Sequence, residues 1–204
     1  MLYHYIFNIL IYGFFMNNSC FSPIIVNCEE DLCLLLSRFP DIKPNEWIKS
    51  VSALYGEIKN GECILGIEDE KLHRRVDVVS IKCFHTDDQG ERFQLIEESQ
   101  IFKNGIVRPR GHKYVAEKLQ PNELPEECAK RGLAEELQIA GPEVHVVPLT
   151  EENTFEKKES PSYKGIQCSY NKYFFSCEIP KSLYKSSYTE VQEDKSTLFT
   201  WIKI

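Results

Sequence analysis

The sequence predicts an α/β sandwich, a mixed sheet built around one loop-helix-loop and preceded by a short helical preface. Three observations predict it. Strand-like runs stand on both sides of a single amphipathic helix at 125–137, two shorter helical patterns lie within 29–59, and strands and helices do not alternate regularly. That order favours strands packed with helices over a parallel doubly wound sheet. The 204 residues suffice for one substantial domain and an extension. The expected division is an apolar N-terminal extension at 1–28, the helical preface at 29–61 and the main domain at 62–204.

Residues 1–15, MLYHYIFNILIYGFF, are apolar and aromatic. They are fewer than the roughly 20 residues a membrane span needs, and no Lys or Arg precedes them as in a signal peptide. No membrane span is expected. In the preface, Pro40 and Pro44 separate two helical patterns. The second places Trp47, Val51, Leu54 and Ile58 at helical spacing and stops at Asn60-Gly61.

Strands begin near residue 62. VDVVSIKCF (76–84) and RFQLIEE (92–98) flank the turn TDDQGE, which reads as a hairpin. The stretch NGIVRPRGHKYVAEKL reads as a loop carrying Arg108, Arg110, His112, Lys113 and Lys118. Such cations suit a diphosphate, whose oxygens favour Arg and Lys; the competing reading is a solvated loop. Beyond the helix, VHVVPL (144–149), YNKYFFSCEIP (170–180) and TLFTWIKI (197–204) read as strands. TEENTFEKKESPSYKGI and SLYKSSYTEVQEDKS read as polar connections.

The central stretch, Val115 to Ile139, is VAEKLQPNELPEECAKRGLAEELQI. Pro125 suits the first helical position, where its missing N–H loses no acceptor. Glu126 and Glu127 favour the first turn, while Cys128, Ala129, Gly132, Leu133 and Leu137 form an apolar face. Glu135 and Glu136 lie near the C-terminal end, where the helix dipole prefers cations. A bound hard cation gives such a pair a purpose. The competing reading is an Arg131–Glu135 pair at i, i+4 beside a solvated Glu136.

This stretch resembles the Nudix box, G-x5-E-x7-R-E-U-x-E-E-x-G-U, with U aliphatic. Glu123, Arg131, Leu133, Glu135, Glu136 and Ile139 stand in register, while Glu117, Gly132 and Gln138 depart from it. Residues 34–204 further resemble a plant and algal Nudix-like group. The resemblance implies a Nudix-type α/β/α sandwich. It also implies a hydrolase of a diphosphate linkage in a nucleoside diphosphate derivative, with Mg²⁺ or Mn²⁺ on Glu135 and Glu136. Arg131 then holds the glutamates and Glu123 braces the loop, with Leu133 and Ile139 structural. Arg108, Arg110 and Lys118 meet the substrate. In the family the glutamate after the box arginine ligates metal or acts as base. Gly132 lacks it, so the base must come from Glu117 or from a loop glutamate at 151–159. The alternative is a Nudix-fold binding module for a nucleotide or protein partner.

A formal net charge of −7 argues against a general nucleic-acid surface, and no stable duplex binding is expected. The eight cysteines contain no CxxC pair. They read as small buried hydrophobes in a reducing, intracellular and cytoplasmic setting, not as a zinc site or disulfide framework.

Overall fold

The computed structural model describes residues 21–192 and 195–204. The apolar run at 1–15 and Cys20 lie outside the described residues. In chain order the elements are β1 (Ser22–Pro23), α1 (Glu29–Leu36), α2 (Val51–Lys59), β2 (Ile64–Glu68), β3 (Lys71–Thr86) and β4 (Arg92–Phe102). They continue with β5 (Val107–His112), β6 (Val115–Lys118), α3 (Pro125–Leu137), β7 (Val146–Pro148) and β8 (Thr154–Glu159). The last are β9 (Gln167–Glu178), β10 (Ser187–Val191) and β11 (Lys195–Lys203). The result is sheet-rich with few helices. No helix among the described residues is long and apolar enough to cross a membrane.

The chain divides into two compact units. The first comprises the described residues up to Val76, with Gln120–Asn122 and Glu156–Tyr170. The sequence boundary at 61/62 therefore falls inside this unit, which adds strands to the two helices. Ser50 caps α2, its hydroxyl accepting from the Ala53 N–H at 3.0 Å. Trp47 stands outside that helix, after a 3-10 turn, and packs edge-on against Tyr163 at 5.1 Å. It is half-buried against a distant partner, and its extended backbone sets it outside the helical spacing of Val51, Leu54 and Ile58. Leu32, Leu36, Leu54, Leu65, Leu72 and Tyr163 form the interior. Buried polar contacts sit in this unit: Arg74 pairs with Glu57, and His73 lies between Glu68 (3.1 Å) and Ser169 (2.7 Å).

The second unit holds Asp77–Leu119, Glu123–Phe155 and Asn171–Ile204. The predicted hairpin joins β3 to β4, with Asp87 Oδ1 accepting from the N–H groups of Gln89 (2.9 Å) and Glu91 (2.8 Å). β4 pairs antiparallel with β11 and β5, β11 with β10, β3 with β6, and β7 with β9. Contacts between β3 and the β9 segment advance together along both chains, from Asp77–Asn171 to Phe84–Ile179, so these strands run parallel and the sheet is mixed. Three stretches that read as loops are strands: β5 and β6 before the helix, β8 and β10 after it. Their residues are polar because one face or one edge meets solvent. Pairing with a neighbouring strand, not local propensity, makes them extended.

The core of this unit joins Val79, Ile81, Cys83, Leu95, Val115, Phe175, Tyr188 and Phe199 of the sheet to Cys128, Ala129, Leu133, Leu137 and Ile139. Cys63, Cys83, Cys128, Cys168 and Cys177 are buried, but Cys33 is exposed on α1. All seven described cysteines are free.

The end of α3 explains one departure from the box. Gln138 adopts the left-handed conformation at φ +58°, and the Ile139 N–H reaches back to the Leu133 carbonyl at 3.0 Å. This is a Schellman-type stop, the geometry that glycine provides without strain. Left-handed backbone costs a residue with a Cβ about 1–2 kcal/mol. Gln138→Gly is therefore expected to stabilise the protein by about 1 kcal/mol, raising the melting temperature by roughly 2–4 °C. A melting curve unchanged or lowered would show that Gln138 is not strained.

Candidate active site

α3 and β6 build the site. Pro125 opens the helix, and the Glu127 carboxylate accepts from the Leu124 N–H at 3.0 Å. Leu133 and Ile139 are buried at 0% and 1% exposure, which holds the helix on the sheet and fixes which carboxylates face it.

Arg131 is the hub. Its Nε donates to Glu123 Oε1 at 2.7 Å and its Nη2 to Glu123 Oε2 at 2.9 Å, a two-pronged pair. Nη2 also reaches the Lys118 carbonyl at 2.8 Å. Nη1 lies 3.2 Å from Glu117 Oε1 and 3.1 Å from Glu135 Oε2. Glu123 thus ties the loop before the helix to the helix, and Arg131 joins strand β6 to both.

Gly132 and Glu117 form a single feature. Val79 pairs with Glu117 across β3 and β6, and Val79 is a core residue, so Glu117 lies on the face that meets α3. A Cβ built on Gly132 would stand 2.9 Å from Glu117 Cβ and 3.4 Å from its Cγ. The glutamate on the strand therefore occupies the room that the helix glycine leaves. Relative to the box, glutamate and glycine have exchanged places. Burial pushes the Glu117 carboxyl up from its ordinary value, and Arg131 pulls it down less strongly.

The two helix glutamates part company. Glu135 is 56% exposed and held by Arg131. Glu136 turns inward, where burial and then the carboxylates of Glu190, Glu117 and Glu97 push its pKa up to about 9; Lys195 opposes this. Crowding of like charges in low dielectric disfavours ionisation. The two glutamates expected to share a metal thus stand in different surroundings. Successive helix residues project about 100° apart, and only Glu136 faces the sheet.

The predicted cations scatter. Arg110 donates from Nε to Glu97 Oε1 at 2.9 Å, with His112 Nδ1 3.7 Å from Glu97 Oε2. Arg108 is exposed on β5, opposite Gln100. Lys118 pairs with Val78, one residue out of phase with Glu117, and so belongs to the other face of the sheet. Its assignment to substrate rested on reading this stretch as a loop. Among the loop glutamates, Glu152 pairs with Lys82 at 2.5 Å.

Glu97, Glu190 and Lys195 were missed. Glu97 carried a signal, since it follows Leu95 by two residues and shares its face. Glu190 and Lys195 carried none, because their nearness to Glu136 comes from strand pairing far along the chain. Among the described residues, no three His, Cys, Asp or Glu side chains are already gathered closely enough to hold a metal ion.

No family model matches the chain, and no curated protein matches it. Among solved structures it is similar to an Ap4A hydrolase of C. elegans, with TM-score 0.38, 14% identity, and coverage of 63% of this chain and 80% of that one. It is similar to RenU, a Nudix hydrolase from M. smegmatis, with TM-score 0.36, 14% identity, and coverage of 68% and 74%. A MutT/nudix family protein from Enterococcus faecalis gives TM-score 0.33, 10% identity, and coverage of 86% and 64%. Superpositions this loose transfer no residue's role.

Proposed function

We propose that the protein is a divalent-metal-dependent hydrolase that cleaves a diphosphate linkage in a nucleoside diphosphate derivative. The observation that carries this reading is the Glu117 carboxylate lying on Gly132 beside Arg131. The box's carboxylate is relocated to β6. A binding module without hydrolysis drew its main support from the glycine at 132, and the relocated carboxylate removes that support. The finer likeness to the plant and algal Nudix-like group belongs to the same proposal and rests on sequence alone.

The carboxylate chemistry suits a hard cation, although among the described residues no three such groups are already gathered around one point. Glu136 is a carboxylate kept from ionising by burial and by neighbouring carboxylates, and a divalent charge among them reverses that penalty. Glu136 would hold Mg²⁺ or Mn²⁺, with Glu97 and Glu190 alongside. Such an ion, when bound, neutralises phosphate oxygens and lowers the pKa of water. Glu117 serves as general base, its carboxyl already raised toward the working range. Arg131 sets the Glu117 carboxylate against the helix, and Glu123 sets Arg131. Glu135 acts through Arg131 and is a positioning residue. Arg108 offers its guanidinium to phosphate oxygens, while Arg110 is already engaged in orienting Glu97.

Calorimetric titration of Mn²⁺ and Mg²⁺ into the wild type and Glu136→Gln tests the metal assignment, beside a nucleotide panel assayed for phosphate or monophosphate release. The expected result is wild-type binding, accompanied by proton release, that the variant loses. Metal-independent release, or equal binding by both proteins, contradicts the assignment.

A further inference from the structure

One row of directly paired residues crosses four strands of the second unit: Glu190 on β10, Thr197 on β11, Gln100 on β4 and Arg108 on β5. The next row contains Tyr188, Phe199 and Glu97. Phe199 and Tyr188 belong to the core beneath α3, so both rows face the helix and Glu136. Glu97 and Gln100 are three residues apart and would face opposite sides in a regular strand. The register shift between Leu198 and Phe199 absorbs one residue of β4, and both side chains reach the α3 face. Bulges re-aim side chains in this way.

Gln100 is 7% exposed and Thr197 is 3% exposed. Neither side chain has a hydrogen-bond partner among the described residues. Their polar atoms are also not among those fully sealed from solvent without a partner. A carboxamide and a hydroxyl whose polar atoms still reach solvent and bond to nothing else among the described residues are free to meet a ligand. They are in place for something that arrives.

We propose that Gln100 and Thr197 are the specificity-determining pair of this site. They receive the uncharged half of the diphosphate substrate, a heteroaromatic ring edge that presents a hydrogen-bond donor beside an acceptor. A carboxamide carries one donor group and one acceptor side by side and matches such an edge at two points, as glutamine does with adenine. Sites that hydrogen-bond a ligand in this way reject analogues lacking the groups far more strongly than apolar pockets do. The row adjoins Glu97 and Glu136, so a ring held there stays tethered to a diphosphate at the carboxylates. The inference rests on the hydrolase reading of those carboxylates.

The test uses two probes with Mg²⁺ present: adenosine 5′-(α,β-methylene)diphosphate, which carries such an edge, and methylenediphosphonate, which does not. Titration calorimetry is run on the wild type, Gln100→Leu and Thr197→Val. The wild type is expected to prefer the nucleotide probe by at least tenfold. Each variant should lose that preference while keeping methylenediphosphonate affinity within about twofold. Both variants should melt at or above the wild-type temperature, because groups that bond only to water in the free protein add no stability to it. A lowered melting temperature in both marks a structural role and overturns the proposal. So does unchanged nucleotide affinity in both variants, equal loss of both probes, or a wild type that binds the two probes equally. A wild type that binds only the nucleotide probe, with Gln100→Leu abolishing it, upholds the pair and removes the hydrolase reading. Binding of neither probe overturns both.

Discussion

Glu136→Gln is expected to lower turnover by about 10³-fold, roughly 4 kcal/mol of transition-state stabilisation, while Glu135→Gln costs about tenfold or less. The asymmetry follows from the inward turn of Glu136 among Glu190, Glu117 and Glu97, against the exposed position of Glu135 on Arg131. Steady-state rates at saturating Mg²⁺ for both variants settle it, and equal losses would restore the two glutamates as an equivalent pair.

The same substitution has the opposite effect on stability once metal is chelated. The folded pKa of Glu136 is raised from 4.5 to about 9. Between those values the folded protein keeps a proton that the unfolded chain has lost, so stability falls as pH rises through that window. Below it, both states are protonated and the group contributes nothing. Glutamine removes the penalty, which makes the variant more stable than the wild type by up to about 3 kcal/mol at pH 7. At pH 4 the two should melt alike. Added Mn²⁺ should then stabilise the wild type and leave the variant unmoved. Denaturant melts in chelator at pH 4, 7 and 8 read this directly, and a pH-independent difference would mean that Glu136 is not held protonated.

The second large effect is a reciprocal rescue. Glu117→Gly is expected to reduce turnover by about 10²–10³-fold, within the usual span of about 10²–10⁴ for a lost general base. Gly132→Glu alone should fold poorly. Its Cβ would stand 2.9 Å from Glu117 Cβ, and its carboxylate would add a like charge beside Glu117. Overpacking of this kind costs about 1–3 kcal/mol. Combined, the two changes return the carboxylate to the helix and the glycine to the strand. The double variant should recover to within about tenfold of wild-type activity, with melting near that of the wild type. Coupling this strong is confined to residues in contact. A double variant as inactive as Glu117→Gly would show that Glu117 is not the relocated carboxylate.

What local physics governs could be read from the chain alone. Pro125, the paired acids of the first turn and the apolar spacing of Cys128, Leu133 and Leu137 define α3. Asp87 and Gly90 define the β3–β4 turn. Spacing alone offered the Arg131–Glu135 pair, while Glu123 and Glu117 stood out only through the resemblance to the box. The tertiary structure alone decided the rest. β5, β6, β8 and β10 are polar segments made extended by the strands beside them, so their composition read as loop. The parity of Lys118 against Glu117 depends on β6 being a strand at all. Glu136 is chosen over Glu135 by where the sheet lies. Glu97, Glu190, Gln100 and Thr197 meet only through register, and one bulged residue in β4 changes which of them share a face. Periodicity along a chain specifies which side of an element is apolar. It carries no information about which distant strand will pair there, and this site is built from those pairings.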